Sequence, residues 1–122
     1  MRGKRRGSKR VRKTEHPCEL GWRVKWSKDF RLVAKKLGLW KDVRMELRDI
    51  ERRLRSNFRE TIRWLRSHPK VFYTVHKGRK YYVRRVKIGR FRLGYVIRED
   101  ICRVWFVALK VRTSTTYKHR RL

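Results

Sequence analysis

The stretch that decides the fold occupies residues 41–67 and reads KDVRMELRDIERRLRSNFRETIRWLRS. Apolar residues recur in it every three or four positions, which is the spacing of one buried face of an α-helix. The members of this apolar series are Val43, Leu47, Ile50, Leu54, Phe58, Ile62 and Leu65. The periodicity predicts one continuous helix over Lys41–Ser67 that packs against the rest of the domain.

A second series with the same helical spacing consists entirely of arginine. Its members, named the arginine stripe from here on, are Arg44, Arg48, Arg52, Arg55, Arg59, Arg63 and Arg66. At about 100° per residue they fall within an arc of roughly 100° beside the apolar face. Exposed helical arginines usually pair with an acid four residues away, as Asp49–Arg53 and Glu51–Arg55 are spaced to do. Several members of the stripe are instead spaced to repel one another, which predicts a phosphate-binding surface.

Shorter elements on both sides of this helix complete the prediction of an α+β fold. Upstream, alternating apolar and basic residues over Gly21–Trp26 predict a half-buried strand. Ser27 is the expected N-cap of a helix over Lys28–Leu37, with Phe30, Val33, Ala34 and Leu37 on its apolar face and Gly38 as its stop. Downstream, a period of two residues predicts strands over Val71–His76, Arg79–Ile88, Arg90–Arg98 and Ile101–Val111. Short turns between them indicate an antiparallel meander whose last strand is the most apolar.

The charge of the chain indicates its partner. Thirty-nine of the 122 residues are Lys or Arg and ten are Asp or Glu, which gives a formal net charge of +29. Self-repulsion of this size disfavours a compact chain unless a polyanion neutralises it. Nucleic acid fits, because each neutralised phosphate releases condensed counterions. Arginine outnumbers lysine by 25 to 14, which also favours phosphate, since the planar guanidinium can donate two parallel hydrogen bonds.

Basic segments without an apolar pattern flank the predicted domain. Residues 1–20 form a basic N-terminal extension, residues 21–117 the α+β domain and residues 118–122 a basic tail. Residues 1–14 contain eight cations, no acid and few apolar residues, which predicts that this arm is disordered until it binds RNA. The candidate RNA-binding residues of the extension and the tail are Arg2, Lys4, Arg5, Arg6, Lys9, Arg10, Arg12, Lys13, Lys118, Arg120 and Arg121.

The sequence argues against membrane and metal functions. No apolar stretch approaches the roughly 20 residues that span a bilayer, and no apolar segment follows the basic N-terminus, so we expect a cytoplasmic chain without a membrane partner. Cys18, Cys102 and His16 are too few for a zinc site, and we expect no metal and no cofactor. Free thiols, with Cys102 buried in a strand, are the default for an intracellular chain, although a single disulfide also fits the sequence.

The tryptophans divide into two groups by their spacing. Trp22, Trp26 and Trp105 follow strand periodicity and are expected in the core. Trp40 lies at the turn between the helices and Trp64 lies off the apolar series, so both are candidates for stacking on RNA bases. The chain has no glutamine and a single asparagine, a composition typical of thermophiles that points to an archaeal or similar source.

The order β-α-α-β-β-β resembles the RelE/ParE superfamily of small ribosome-targeting toxins. The resemblance extends from about Trp22 to Tyr117. It rests on the helix end Lys36-Leu37-Gly38, on the segment Tyr82–Ile97 with Gly89-Arg90-Phe91-Arg92-Leu93, and on a last strand that leads through Lys110 and Arg112 to Tyr117. It implies a twisted antiparallel sheet with two helices on one face and a basic concave surface on the other.

The resemblance also implies a set of site residues. RelE-like nucleases cut mRNA in the ribosomal decoding site without a metal, with basic residues on the middle strands and a tyrosine or histidine near the C-terminus. The positions that match are Arg85, Arg92, Arg112 and Tyr117, with His119 nearby. With a turn centred on Ile88–Gly89, Arg85 and Arg92 are cross-strand partners, an unfavourable pairing that suggests a site meant for phosphate. Arginine stays protonated, however, so this set contains no evident general base.

Three functions are compatible with these features. The first is a structural RNA-binding protein, most simply a ribosomal protein that contacts rRNA and neighbouring ribosomal proteins through the two basic segments, the arginine stripe, Arg85, Arg92 and Arg112. The alternative is a RelE-type toxin, a ribosome-dependent mRNA endoribonuclease whose arginine stripe would bind an acidic antitoxin. A DNA- or chromatin-associated protein is the third, but the sequence has no recognition-helix motif. We predict the first.

Overall fold

The computed structural model describes Cys18 and residues 21–111, which form three helices and one mixed sheet of five strands. The helices are α1 (Lys28–Lys36), α2 (Trp40–Ser56) and α3 (Phe58–Arg66). The strands are β1 (Arg23–Trp26), β2 (Lys70–His76), β3 (Arg79–Ile88), β4 (Phe91–Arg98) and β5 (Arg103–Val111). The predicted α+β class is confirmed. Most of the predicted N-terminal extension and the whole basic tail lie outside the described residues.

The strands lie in the order β1-β5-β4-β3-β2. Each neighbouring pair from β2 to β5 is antiparallel, which confirms the predicted meander. Strand β1, however, pairs in parallel with β5, from Arg23 opposite Arg103 to Trp26 opposite Phe106. The expectation of a purely antiparallel sheet is therefore wrong at this edge. Parallel neighbours need a long connection, and the helices and the meander together provide it.

The core lies between the helices and one face of the sheet. The apolar series of α2 and α3 is fully buried there, together with Leu93 and Tyr95 of β4. The Tyr95 hydroxyl donates a hydrogen bond of 2.8 Å to the carbonyl of Leu65, in the last turn of α3. Carbonyls in a last turn have no partner within their own helix. Burial raises the pKa of Tyr95, so the hydroxyl keeps the proton that it donates.

The prediction of one continuous helix over Lys41–Ser67 is wrong, because the helix is interrupted at Asn57. This residue has φ −142° and ψ 63°, far from helical values. The hydroxyl of Thr61 lies 3.1 Å from the carbonyl oxygen of Arg53 and 2.7 Å from that of Asn57. A side-chain hydroxyl that bonds the carbonyls of the preceding turn competes with the backbone and bends a helix. The break redirects the second half of the arginine stripe without exposing the apolar series.

Helix α1 begins and ends as predicted. The Ser27 hydroxyl accepts a hydrogen bond of 3.1 Å from the N–H of Phe30. At the other end, Gly38 has φ +73°, a left-handed value that lets the backbone turn back onto the last carbonyls of the helix. The predicted apolar face is too wide, however. Only Phe30 and Ala34 are buried, whereas Val33 and Leu37 are exposed, because the helix is short and meets the sheet with one narrow side.

The two cysteines form a disulfide, so the expectation of free thiols is wrong. Their Cα atoms lie 5.2 Å apart across a sequence separation of 84 residues. Cys102 does not lie within a strand as expected. It occupies the turn before β5 with φ +59°. The bond fastens Cys18, which falls within the predicted N-terminal extension, to one end of the sheet.

Candidate nucleic-acid interface

The face of the sheet that points away from the helices, named the open face, carries cations at adjacent positions of three strands. Lys87 of β3 lies opposite Arg92 of β4, and Arg92 lies opposite Lys110 of β5. The residues next to them along the strands, such as Val86 and Leu93, belong to the core. Because side chains alternate between the two faces of a strand, these three cations share the open face. They are named the cation row.

The cation row destabilises the protein when no ligand is bound. Side chains directly opposite each other on neighbouring strands have Cβ atoms about 4.5–5.5 Å apart, and like charges at that distance are destabilising. Within the described part of the chain, no ion pair involves Lys87, Arg92 or Lys110. Three uncompensated cations in a line are the arrangement expected where a polyanion binds.

Small residues lie beside the cation row. In the next row of the open face, Arg85 lies opposite Gly94, and Gly94 lies opposite Ala108. A Cβ atom on Gly94 would lie 2.9 Å from the Cβ of Ala108 and 3.1 Å from Cγ1 of Val83. The strands therefore pack so closely that only glycine fits. Gly94 is buried beneath these neighbours, and Arg85 is the exposed residue of this row that a phosphate backbone can reach.

The predicted pairing of Arg85 with Arg92 is wrong. The turn between β3 and β4 consists of Gly89 and Arg90, so the residues that face each other are Lys87 and Arg92. Gly89 has φ +59°, a value that glycine adopts readily at the first position of such two-residue turns. Arg85 and Arg92 are diagonal neighbours on the open face, so the structure still brings them together. The other proposed catalytic residues, Arg112, Tyr117 and His119, lie outside the described residues.

All seven members of the arginine stripe are exposed, but several are held by other protein groups. The predicted pair Asp49–Arg53 is confirmed at 2.9 Å, and the same carboxylate lies 3.4 Å from Arg52. Arg66 forms an ion pair with Glu99 in the turn after β4. The guanidinium of Arg44 lies 5.5 Å from the centre of the Trp26 ring, within the range of a cation–π contact.

Arg55 and Glu51 together cover the edge of the sheet at β1. The Glu51 carboxylate accepts a hydrogen bond of 2.8 Å from the N–H of Val24. Nε of Arg55 donates one of 3.1 Å to the carbonyl of Trp22, and its Nη2 lies 3.9 Å from Glu51. Side chains that occupy edge groups prevent another chain from pairing there. Arg55 is therefore a structural residue, a role that its helical spacing did not indicate.

The last three arginines of the stripe surround a hollow of about 480 Å³ on α3. Phe58 and Ile62 form its floor, and Arg59, Arg63 and Arg66 stand around it. The hollow gathers cations of the second half of the stripe at one place on the surface.

The tryptophans lie where the sequence predicts them, with the exception of Trp105. Trp22 is fully buried as expected, while Trp26, Trp40 and Trp64 pack against the core with part of each ring exposed. Trp105 was expected in the core, and that prediction is wrong. Its neighbours along β5 are core residues, so strand alternation directs Trp105 to the open face.

No family model, no curated protein and no solved structure matches this chain. No group of three or more His, Cys, Asp or Glu within the described ranges is placed to hold a metal ion. The helices that the structure describes are also too short or too polar to cross a bilayer. The charges and geometry of the two basic surfaces are therefore the features that bear on function.

Proposed function

We propose that this protein is a structural RNA-binding protein, most simply a ribosomal protein that neutralises rRNA phosphates with the cation row and the arginine stripe. The observation that carries the proposal is the alignment of Lys87, Arg92 and Lys110 across three strands. Strands are spaced about 4.8 Å apart, so the row extends over about 10 Å. Charges aligned in this way raise the energy of the free protein and are compensated once phosphates bind.

The two surfaces suit backbone recognition rather than recognition of a base sequence. A-form RNA hides its base edges in a deep, narrow major groove, and proteins bind the duplex mainly by its shape and phosphates. Cations on opposite sides of the domain would contact separate RNA segments. A protein of this kind holds RNA helices in a fixed packing, and its bound state is the one in which its +29 charge is neutralised.

The topology supports a relationship to the RelE/ParE fold as part of this proposal. The first strand lies parallel to the last one, the helices cover one face, and the basic residues of the middle strands lie on the other. Strand β2 (Lys70–His76) is then an addition at the far edge of the sheet.

Sedimentation of the tagged protein from lysate tests the proposal. At physiological salt we expect near-stoichiometric association with one ribosomal subunit, and we expect it to be lost only at much higher salt, because every phosphate contact adds to both the affinity and its salt dependence. Recovery only in the free fractions would falsify the structural role. With purified components, binding to a short RNA duplex should weaken linearly in a plot of log affinity against log salt concentration.

A RelE-type ribonuclease is the second candidate, and one observation favours it. The open face brings Arg85 and Arg92 together with Lys87 and Lys110. A lysine, unlike an arginine, can lose its proton in a protein and take part in proton transfer. The test is incubation with programmed ribosomes, where codon-dependent cleavage should disappear in Arg92→Ala and Tyr117→Ala and persist in Arg48→Ala. An absence of cleavage by the unchanged protein removes this candidate, and an acidic antitoxin as partner with it.

A further inference from the structure

The open face curves around a cavity of about 630 Å³ at the end away from the cation row. Residues of both outer strands line it, with Lys25 on β1 and Thr74 and His76 on β2. The rings of His76 and Trp105 meet edge to face with centroids 5.0 Å apart, although β3 and β4 separate their strands in the sheet. The sheet is therefore strongly coiled here. The volume lies within the range of sites that hold small ligands.

The lining combines flat aromatic surfaces with fixed positive charge. Trp105, His76 and Tyr81 contribute the rings. The guanidinium of Arg98 lies 4.7 Å from the Tyr81 ring centre and 5.6 Å from that of Trp105. Asp100 binds this guanidinium with two hydrogen bonds of 3.0 and 2.7 Å, which orient it against the two rings.

Charged groups at the cavity differ in sign and therefore in what they can bind. Lys25 and Arg103 bring positive charge to the lining and are able to contact phosphates. Among the described residues that line the cavity, Asp29 is the one acid. It lies in the first turn of α1, where the helix dipole stabilises its negative charge. An ionised carboxylate only accepts hydrogen bonds, so Asp29 selects a ligand edge that carries N–H donors.

We propose that this cavity receives one unpaired base of the bound RNA, and that the favoured base is guanine. The base would stack on the aromatic wall at Trp105, while Lys25 and Arg103 contact the flanking phosphates. Guanine presents two adjacent donors, N1–H and the N2 amino group, which match the two oxygens of Asp29. This inference rests on the proposed RNA binding and adds to it a specific position, the point at which a base leaves its helix.

Two RNA hairpins that differ by one bulged guanosine test the proposal. Their dissociation constants are measured by fluorescence anisotropy at one salt concentration. We expect the full chain to bind the bulged hairpin about tenfold more tightly, in line with the contribution of stacking one base on an aromatic side chain. Trp105→Leu should abolish this preference and leave binding of the paired hairpin unchanged. Tyr82→Leu, a change at an exposed aromatic that does not line the cavity, should retain it.

A third hairpin with a bulged adenosine tests the role of Asp29. The unchanged protein should bind the guanosine bulge several-fold more tightly than the adenosine bulge. Asp29→Asn keeps the shape of the side chain but replaces one acceptor by a donor, so it should remove the discrimination. If Trp105→Leu proves to be unfolded by circular dichroism, His76→Ala replaces it, because His76 contacts the same ring.

The outcomes separate this inference from the function on which it rests. Equal affinity for the bulged and paired hairpins, with a steep salt dependence for both, overturns the base cavity and leaves RNA binding in place. A preference that persists in both Trp105→Leu and His76→Ala also overturns it. Failure of the unchanged protein to bind any of the hairpins in a salt-dependent manner overturns the proposed function itself.

Discussion

The cation row on the sheet and the arginine stripe on the helices carry the same sign of charge in different surroundings. Strand pairing places Lys87, Arg92 and Lys110 directly opposite one another, and no acid of the described chain pairs with them. In the stripe, by contrast, Arg55 and Arg66 have acidic partners. The difference shows that the number of cations does not identify a binding surface. Their arrangement does, because every member of the row lies directly opposite another cation and none has an acidic partner in the described chain.

The largest effect is expected when the whole cation row is neutralised. Changing Lys87, Arg92 and Lys110 together to Gln should lower affinity for a short RNA duplex about a hundredfold at roughly 0.1 M salt, and reduce the slope of log affinity against log salt by about 2 to 3. The same variant should unfold at higher urea, since each relieved like-charge pair is worth about 0.2–1 kcal/mol. Weaker binding with an unchanged slope would contradict phosphate contact by the row.

A smaller effect is expected from single changes in the arginine stripe, where Arg55 has a structural role and Arg48 a binding role. Arg55→Gln removes the hydrogen bond to the Trp22 carbonyl and should lower the free energy of unfolding by about 1–2 kcal/mol. Arg48 has no hydrogen bond, ion pair or ring contact within the described chain, so Arg48→Gln should leave urea unfolding unchanged. It should instead reduce the salt slope of RNA binding by about 1. Equal effects of the two changes on stability would remove the distinction.

Removal of the Tyr95 hydroxyl tests whether the two surfaces form one rigid body. Tyr95 lies on β4 with Arg92, and it donates to Leu65 on α3, the helix that carries the end of the stripe. Tyr95→Phe leaves a buried carbonyl without its donor and should lower the free energy of unfolding by about 1 kcal/mol. RNA affinity should stay the same while the protein is folded. A large loss of RNA affinity in a variant that is fully folded would mean that the relative position of the two surfaces depends on this hydrogen bond.

Residue spacing predicted the elements of this fold better than their partners. Periodicity and capping residues locate α1, the apolar series and the strands, because each depends on neighbours in the chain. At the break, the Thr61 hydroxyl bonds to the carbonyls of Arg53 and Asn57, and the apolar face that continues through the break gives no sign of it. The parallel pairing of β1 with β5 and the Cys18–Cys102 disulfide join residues about 80 positions apart, and no local pattern encodes them.

The candidate site was predictable in composition but not in register. The sequence indicates basic residues on the middle strands, and Arg85 and Arg92 do lie on the open face. Which cations face each other depends on the turn at Gly89, where a shift of one residue changes every cross-strand partner. Lys87 and Lys110 were missed for this reason. A two-residue turn with glycine in first position is the signal that would have located them.

The smallest expected effect concerns a pair of like charges in which one member also binds an acidic side chain. Arg98 lies directly opposite Arg103, as Lys87 lies opposite Arg92, but Asp100 binds Arg98 through two hydrogen bonds. These hydrogen bonds lower the pKa of Asp100 and raise that of Arg98. Because the pKa of Asp100 is lower in the folded protein, its contribution to stability is present above the ordinary pKa of aspartate and is lost as the pH falls through the folded value.

Asp100→Asn should therefore be slightly less stable than the unchanged protein near neutral pH, and the two unfolding curves should converge in acid. Urea unfolding measured across this pH range checks the expectation, with Glu46→Gln as the control, since Glu46 lies beyond the first turn of α2 and forms no ion pair within the described residues. Without its acidic partner, Arg98 can contact one further RNA phosphate. The slope of log affinity against log salt should therefore rise by no more than about 1. A difference in stability that stays constant down to acid pH would mean that Asp100 acts through packing and not through its charge.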